Sequence, residues 1–273
     1  MIDLTLSLLS IMNINQLFSV KDKVVLVTGG SRGIGEMIAT GFVQGGAKVY
    51  ISSRSAQACD EVAEKLNKLG PGSCIPIPAD LQKSEDVKRL AAEIGKREKH
   101  LDVLVNNAGA TWGSPIEEYP DAAFSKVMNL NVKSIFTLTQ ACLPLLEAKA
   151  TADVPSRVIN IGSINGINIP AHETYAYSAS KAAVHQLTKH LAGKLGHRHI
   201  TVNAIAPGSF QSKMMKETLE KFGDIIVASV PVGRIGSPED IAGTAIYLSS
   251  RAGQYTNGAV IVVDGGVIVS AKM

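Results

Sequence analysis

The chain has 273 residues, 45% hydrophobic and 19% charged, with a formal net charge of +3. That length hides a substantial core within one domain, and so small a charge, with no basic stripe among aromatics, argues against a nucleic-acid partner. Cys59, Cys74 and Cys142 are scattered and odd in number, which argues against a disulfide scaffold or a metal site and suits reduced thiols in an intracellular protein.

Residues 1–20 read as an N-terminal extension ahead of a domain over 21–273. The extension is apolar but interrupted by Asp3, Asn13, Asn15 and Gln16. It lacks a positive n-region and an unbroken run of about 18 apolar residues, so secretion and membrane crossing are disfavoured. An appended helix on the domain or on a partner is the expectation. No arginine precedes the core, which leaves a mitochondrial address little support and a cytoplasmic one preferred; the terminal Ala-Lys-Met is not a peroxisomal signal.

The first unit is an apolar run, Val24 to Thr28, that passes into Gly29-Gly30-Ser31-Arg32-Gly33-Ile34-Gly35 and then a helix over 34–45. A buried strand, a tight glycine turn and a helix N-terminus aim unpaired N–H groups at one place, an anion site. Close helix–strand packing explains the same glycines. The spacing is Gly-x-x-x-Gly-x-Gly with no Gly-Lys-Ser/Thr, which disfavours ATP or GTP chemistry. A second strand, 48–53, ends at Arg54. Enzymes selecting NAD commonly place an acid here for the ribose 2′-hydroxyl; Ser53-Arg54 instead suits a 2′-phosphate, hence NADP, and Arg32 lies within reach of the same group. An exposed surface charge is the plain alternative for either arginine.

Strand and helix patterns then alternate: a helix over 55–69, a strand over 74–79 ending at Asp80, a helix over 84–98 and a strand over 102–106. A long helix over 121–149 precedes a strand over 157–162, a helix over 175–198, a strand over 200–206, a helix over 238–250 and a strand over 260–264. Such alternation builds an α/β, doubly wound domain with a parallel sheet between helices. Asn106-Asn107-Ala108-Gly109, Gly162-Ser163 and Pro207-Gly208 fall at strand exits, where open α/β sheets bind ligands. Turn chemistry explains each singly; their recurrence along one edge fits a shared cleft.

The helix at 175 carries Tyr177-Ser178-Ala179-Ser180-Lys181. Positions i and i+4 share a face, so Lys181 can lie beneath the Tyr177 phenol. A nearby cation favours phenolate and is expected to draw a group that titrates at about 10 toward acid–base use near neutrality. Tyr175 has Ala179 at the matching position and lacks the cation.

These motifs, in this order and at these spacings, resemble the short-chain dehydrogenase/reductase family of the classical type from about Lys21 to Gly266. Asn106 to Gly113, Val158 to Gly166 and Ala206 to Met214 most resemble the 3-oxoacyl reductases, including the NADPH-dependent rhamnolipid-associated type. The resemblance implies a Rossmann-type fold with seven parallel strands ordered 3-2-1-4-5-6-7. It implies a catalytic set of Asn131, Ser163, Tyr177 and Lys181. Tyr177 is then the general acid for carbonyl reduction, and Ser163 a donor to the substrate oxygen. Lys181 holds the nicotinamide ribose, and Asn131, preferred over Asn129, holds a water leading from Lys181 to solvent.

By the same resemblance NADP(H) lies on Gly29, Gly33, Ile34 and Gly35, with Ser31 and Arg32 at the adenosine ribose and Arg54 at the 2′-phosphate. Asp80 and Leu81 border the adenine, Asn107 and Gly109 the ribose-side floor, and Pro207 and Gly208 the nicotinamide, which Tyr177 and Lys181 also touch. Residues 209–230, with Met214, Met215, Leu219, Phe222, Ile225 and Ile226 among charged residues, carry an amphipathic pattern that suits a substrate lid, and core packing or a subunit contact explains the same apolar face. Trp112 is a candidate pocket wall and His172 a loop-supporting residue. Arg198 matches an arginine that related reductases use for carrier-protein docking, and a small-molecule carbonyl or alcohol is the expected substrate. Homotetramer or homodimer assembly would use the helices at 121–149 and 175–198. The alternatives are an NAD-dependent alcohol or sugar dehydrogenase and a noncatalytic cofactor-binding scaffold.

Overall fold

The computed structural model describes residues 13–212 and 215–270, without the side chains of 216–219. The strands are β1 Val24–Thr28, β2 Lys48–Ser52, β3 Ser73–Pro76, β4 Val103–Asn106, β5 Ser156–Ile161, β6 Ile200–Pro207 and β7 Val260–Val263. The helices are α1 Ile14–Leu17, α2 Gly33–Gln44, α3 Ala56–Leu66, α4 Ser84–Arg97, α5 Asp121–Met128, α6 Ser134–Glu147, α7 Tyr175–Leu195, α8 Lys216–Ala228 and α9 Pro238–Ser249. All seven strands are parallel, in the order β3-β2-β1-β4-β5-β6-β7 that the resemblance implies.

Successive side chains of a strand point to opposite faces, and a parallel sheet is covered on both. Val25 and Val27 accordingly join Ile38, Phe42 and Ile241 on one side. Val24 and Leu26 join Leu90, Ile94, Leu138 and Leu146 on the other. The chain winds outward from β1 to β3 and then, from β4, the opposite way. The exits of β1 and β4 therefore diverge, opening a crevice at the carboxyl edge of the sheet.

Several element boundaries differ from expectation, the helix expected over 55–69 among them, which ends at Leu66. The third strand stops at Pro76, because Pro76 and Pro78 have no N–H to donate, although Ile77 N still donates to Ile51 O in β2 at 2.9 Å and Ala79 N to the Ser53 carbonyl just past it at 3.0 Å. The α7 helix ends at Leu195 and tightens into a 3₁₀ turn, Gly196–Arg198. The single helix expected over 121–149 is two helices joined by a π-helical turn, Asn129–Lys133. The widened turn faces Asn131 and Asn129 to different partners: Asn131 is fully buried, while Asn129 Nδ2 donates to the Gln82 carbonyl at 3.0 Å.

At the amino edge of the sheet, Arg157 is 3% exposed and surrounded by carbonyls. Its guanidinium donates to Leu248 O at 3.0 Å, to Ser250 O at 3.2 Å and to Pro155 O, so a strand side chain caps the end of α9. Of the N-terminal extension only residues 13–20 are described, with Asn13 capping α1. The expected appended helix falls mostly outside the described residues, as do Met214 and the terminal tripeptide.

Candidate active site

The β5 exit and the first turns of α7 meet at the crevice. Ser163 is 7% exposed and accepts a hydrogen bond from Asn165 N at 3.1 Å, and its hydroxyl faces the Tyr177 phenol closely enough to draw that group's pKa down. Lys181, 5% exposed, donates to Ile161 O at 2.7 Å, and its Nζ lies 5.4 Å from the Tyr177 ring centroid. Burial lowers the Lys181 pKa to about 8. Tyr175 points away, 39% exposed, donating to Glu173 Oε1 at 3.1 Å.

The phenol does not behave as the helix spacing suggests. Desolvation raises the Tyr177 pKa, and the Ser163 hydroxyl opposes it only in part. The ammonium lies over the ring and is directed to the Ile161 carbonyl, not to the phenolic oxygen. In this arrangement Tyr177 carries its proton at neutral pH, the form that a proton donor requires.

Asn131 connects this pair to the β4 exit. Its Oδ1 accepts from Ala110 N at 2.9 Å, and its Nδ2 donates to Ala110 O and Ser180 Oγ, each at 2.9 Å. Ser180 in turn donates to the Tyr177 carbonyl at 2.7 Å. Gly109 lies against both groups: a Cβ there would come 3.3 Å from Asn131 Oδ1 and 3.8 Å from Lys181 Nζ.

The glycine turn is held from β4. Asn107 Nδ2 donates to Thr28 O at 2.8 Å and Gly29 O at 3.2 Å, while Thr28 Oγ1 accepts from the Asn107 and Ala108 N–H groups at 2.9 and 3.1 Å. Asn107 thus ties the turn through its side chain rather than simply lining a floor. Gly29 has φ +65°, and a Cβ on Gly35 would collide with Gly29 O and Asn107 Nδ2. Ile34 lies beside it in the first turn of α2, partly buried and packed on the core. At the far side of the cleft, Gly208 follows Pro207 and bonds Val263 O at 2.9 Å, with Asp264 leaving no room for a side chain.

The β2 exit is free of acid. Ser31 Oγ donates to Ser53 Oγ at 2.9 Å, and Ser53 rests on the buried Cys59 at 3.1 Å. Arg32 and Arg54 are exposed and make no ion pair among the described residues, while the nearby Glu36 is taken by Lys65 at 2.7 Å. Asp80, at the third strand's exit, accepts from Gln82 N at 3.2 Å, and Leu81 is 7% exposed. Backbone amides, hydroxyls and unpaired cations suit an anionic, 2′-phosphorylated dinucleotide.

Outside this ring the placement is looser. In the candidate lid, Phe222 breaks α8 with φ −133° and is 47% exposed, Ile225 is 68% exposed, and Phe210 is buried; Met214 and the Leu219 side chain lie outside the description. Trp112 is 45% exposed and its carbonyl accepts the Tyr119 hydroxyl at 3.2 Å. His172 is exposed and its carbonyl accepts Thr174 N at 2.8 Å. Arg198 is ion-paired with Glu147 through Nε, both side chains being 35% exposed. Cys59, Cys74 and Cys142 are all free and buried.

The sequence gives no role to the Thr28 and Ser180 hydroxyls. Each borders a motif, and the usable signal is position: the last residue of an apolar strand and the residue three after Tyr177.

Comparison with known proteins places these features in context. A family model described as enoyl-(acyl carrier protein) reductase matches residues 29–268. The rhamnolipids biosynthesis 3-oxoacyl-[acyl-carrier-protein] reductase of Pseudomonas aeruginosa is 48% identical over 251 residues, 91% of this chain and 97% of that protein. A 5-keto-D-gluconate 5-reductase of Escherichia coli is 34% identical, over 94% of this chain and 99% of its own. Among solved structures, the Pseudomonas aeruginosa RhlG/NADP active-site complex superposes with a TM-score of 0.89 at 47% identity, covering 94% of this chain and 99% of that one.

Proposed function

The chain belongs to the short-chain dehydrogenase/reductase family, and from that premise we propose that it is an NADPH-dependent carbonyl reductase that converts a ketone or 3-oxoacyl group to a secondary alcohol. The observation that carries this reading is the Ser163–Tyr177 hydroxyl pair beside the buried Lys181 ammonium, at the crevice that the glycine turn opens. Two hydroxyls converging on one point are suited to one carbonyl oxygen.

Bound NADPH supplies the hydride. Gly29, Gly33, Ile34 and Gly35 admit its pyrophosphate, Ser31, Arg32 and Arg54 receive the adenosine 2′-phosphate, and Asp80 and Leu81 border the adenine. Asn107 and Gly109 support the ribose side and Pro207 and Gly208 the nicotinamide end. Lys181 holds the nicotinamide ribose hydroxyls. Ser163 donates a hydrogen bond to the substrate oxygen, where a preorganised donor in a dry site is most effective as negative charge develops. Tyr177, protonated at neutral pH, gives that oxygen its proton. Asn131 holds the Ala110 loop and Ser180 in register with Lys181, beside the water path proposed to lead to solvent.

Trp112, Ile167 and Ile169, 45%, 50% and 87% exposed, sit in the loops bordering this pair and favour an apolar acyl or ketone substrate over a sugar. Phe124 and Phe136, 40% and 45% exposed on α5 and α6, are the face on which a second copy would pack into a homodimer or homotetramer. Initial rates with NADPH and NADH across ethyl acetoacetate, diacetyl, cyclic ketones, sugars and a 3-oxoacyl thioester test the whole reading. The expected result is turnover of acyl or ketone substrates with strong NADPH preference; equal or greater kcat/KM with NADH rejects the cofactor assignment.

A further inference from the structure

One polar group next to this site has no task in the mechanism above. His185 follows Lys181 by one helical turn and is 7% exposed, and its Nε2 is buried with no hydrogen-bond partner. Whichever tautomer is present, that nitrogen carries an N–H or a lone pair with nothing to meet, which costs stability relative to an apolar ring of the same shape.

The imidazole is wedged against the turn that carries Ser163. A Cβ on Gly162 would collide with His185 Nε2 and come 2.7 Å from Cδ2. A Cβ on Gly166 would come 2.9 Å from His185 Cε1 and 2.6 Å from the Lys181 carbonyl carbon. The two glycines on either side of Ser163 thus lie flat on the helix at the Lys181–His185 turn, with the ring between strand exit and helix. Gly162 N is fixed on the other side by Ile205 O at 2.7 Å.

We propose that His185 is a positioning residue, whose uncharged imidazole holds the Gly162–Gly166 turn so that the Ser163 hydroxyl meets the Tyr177 phenol. Burial, followed by Lys181 and Lys189 on the same helix, pushes the His185 pKa down to about 4, so the ring is neutral at pH 7. The adjoining β6 strand and the Ile164–Gly166 turn carry no titratable side chain. Lys181 therefore remains the one cation facing the reacting groups from this stretch of helix. The inference rests on the carbonyl-reductase reading for its kinetic consequence, but not for its geometry.

The test uses His185→Ala, which removes the wedge, and His185→Gln, which keeps an uncharged planar end. With a substrate that the wild type reduces, His185→Ala should lower kcat by about tenfold or more, leave the NADPH Kd, read by Trp112 fluorescence, within about twofold, and leave Tm within a few degrees; His185→Gln should recover most of kcat. Tyrosine labelled with ¹³C at Cζ, with Tyr177 assigned through Tyr177→Phe, reads the Ser163–Tyr177 contact without turnover. Losing that contact should raise the Tyr177 titration in His185→Ala and not in His185→Gln. A Tyr177 resonance unmoved in His185→Ala, an unchanged kcat, or a joint fall of kcat, affinity and Tm overturns the positioning role. A chain that reduces no carbonyl while the resonance moves as expected overturns only the proposed reaction.

Discussion

Strand β5 buries a cation at each end, and the two are held in opposite ways. At its start, Arg157 donates to three carbonyls and has Asp102 as a nearby counter-charge. At its finish, Lys181 has one acceptor among the described residues, the Ile161 carbonyl, and no carboxylate contributes to its shift. An ammonium has three donors. The first cation gives three of its five N–H donors to carbonyls of the fold and has an acid nearby; the second gives one of its three and keeps the others for the crevice. Burial lowers both, Arg157 to about 10 and Lys181 to about 8, so Arg157 stays charged throughout the working range while Lys181 lies within reach of it.

The sharpest way to break this contrast is to remove the chemistry and spare the cage. Tyr177→Phe keeps the ring over which Lys181 sits and loses only the proton donor and its contact with Ser163. General acid catalysis is worth about 10²–10⁴-fold, so kcat should fall by about a thousandfold. NADPH affinity and the urea midpoint should stay near wild type. A variant retaining more than about a tenth of the wild-type kcat would end the proton-donor assignment.

Arg157→Met inverts the pattern. It leaves buried carbonyls at the end of α9 without their donor, while Asp102 keeps Lys23 nearby, a loss of about 1–3 kcal/mol for the stranded acceptors. Urea unfolding should reveal that loss, while kcat of the folded fraction stays within about twofold. A large kcat defect with normal stability would show that the two ends of β5 are not functionally separate.

What the sequence discloses divides along similar lines. The strand–helix alternation was readable because strands buried on both faces, such as Val24–Thr28, appear as unbroken apolar runs. Strand order was not readable from periodicity and came from the resemblance. The π turn is hidden because Asn129–Lys133 holds no glycine or proline to break the helical pattern, and only the two differently partnered asparagines betray the extra width. The direction of the Tyr177 shift was misjudged because spacing says that Lys181 is near but not where its ammonium points, and desolvation is a property of the packed state. The role of Arg157 is not legible in the sequence, because its three acceptors, on Pro155, Leu248 and Ser250, come together only in the fold.

Lys181 offers a milder test through pH. Its folded pKa of about 8 lies below the ordinary 10.5. The unfolded chain therefore holds more protons between these values, and stability from this group rises with pH across the window. Binding moves the other way: the ammonium that would grip the ribose is lost above pH 8. NADP⁺ affinity, measured by calorimetry, should weaken by about tenfold as Lys181 deprotonates. Lys181→Met should bind weakly at every pH, and a wild-type affinity flat from pH 7 to 9.5 would mean that the lysine has no part in holding the cofactor.

Arg54 extends the series to a cation with no cage at all, and the smallest effect is expected there. It is exposed and unpaired among the described residues, so its attraction to a 2′-phosphate acts largely through water and counter-ions. Exposed pairs are typically worth about 0.2–1 kcal/mol, and hydrogen bonding to a dianion adds to that, which places Arg54→Gln at about a three- to tenfold rise in the NADPH Kd with NADH unchanged. Salt separates the grades. Raising ionic strength from about 0.05 to 0.5 M should erode the NADPH preference of the wild type toward that of Arg54→Gln, since an exposed charge is screened within a Debye length. The Lys181 contribution, common to both cofactors and held out of solvent, should survive the same change. If salt weakens NADH and NADPH alike and leaves their ratio fixed, the selectivity comes from shape around Ser31 and Ser53, not from the free guanidinium.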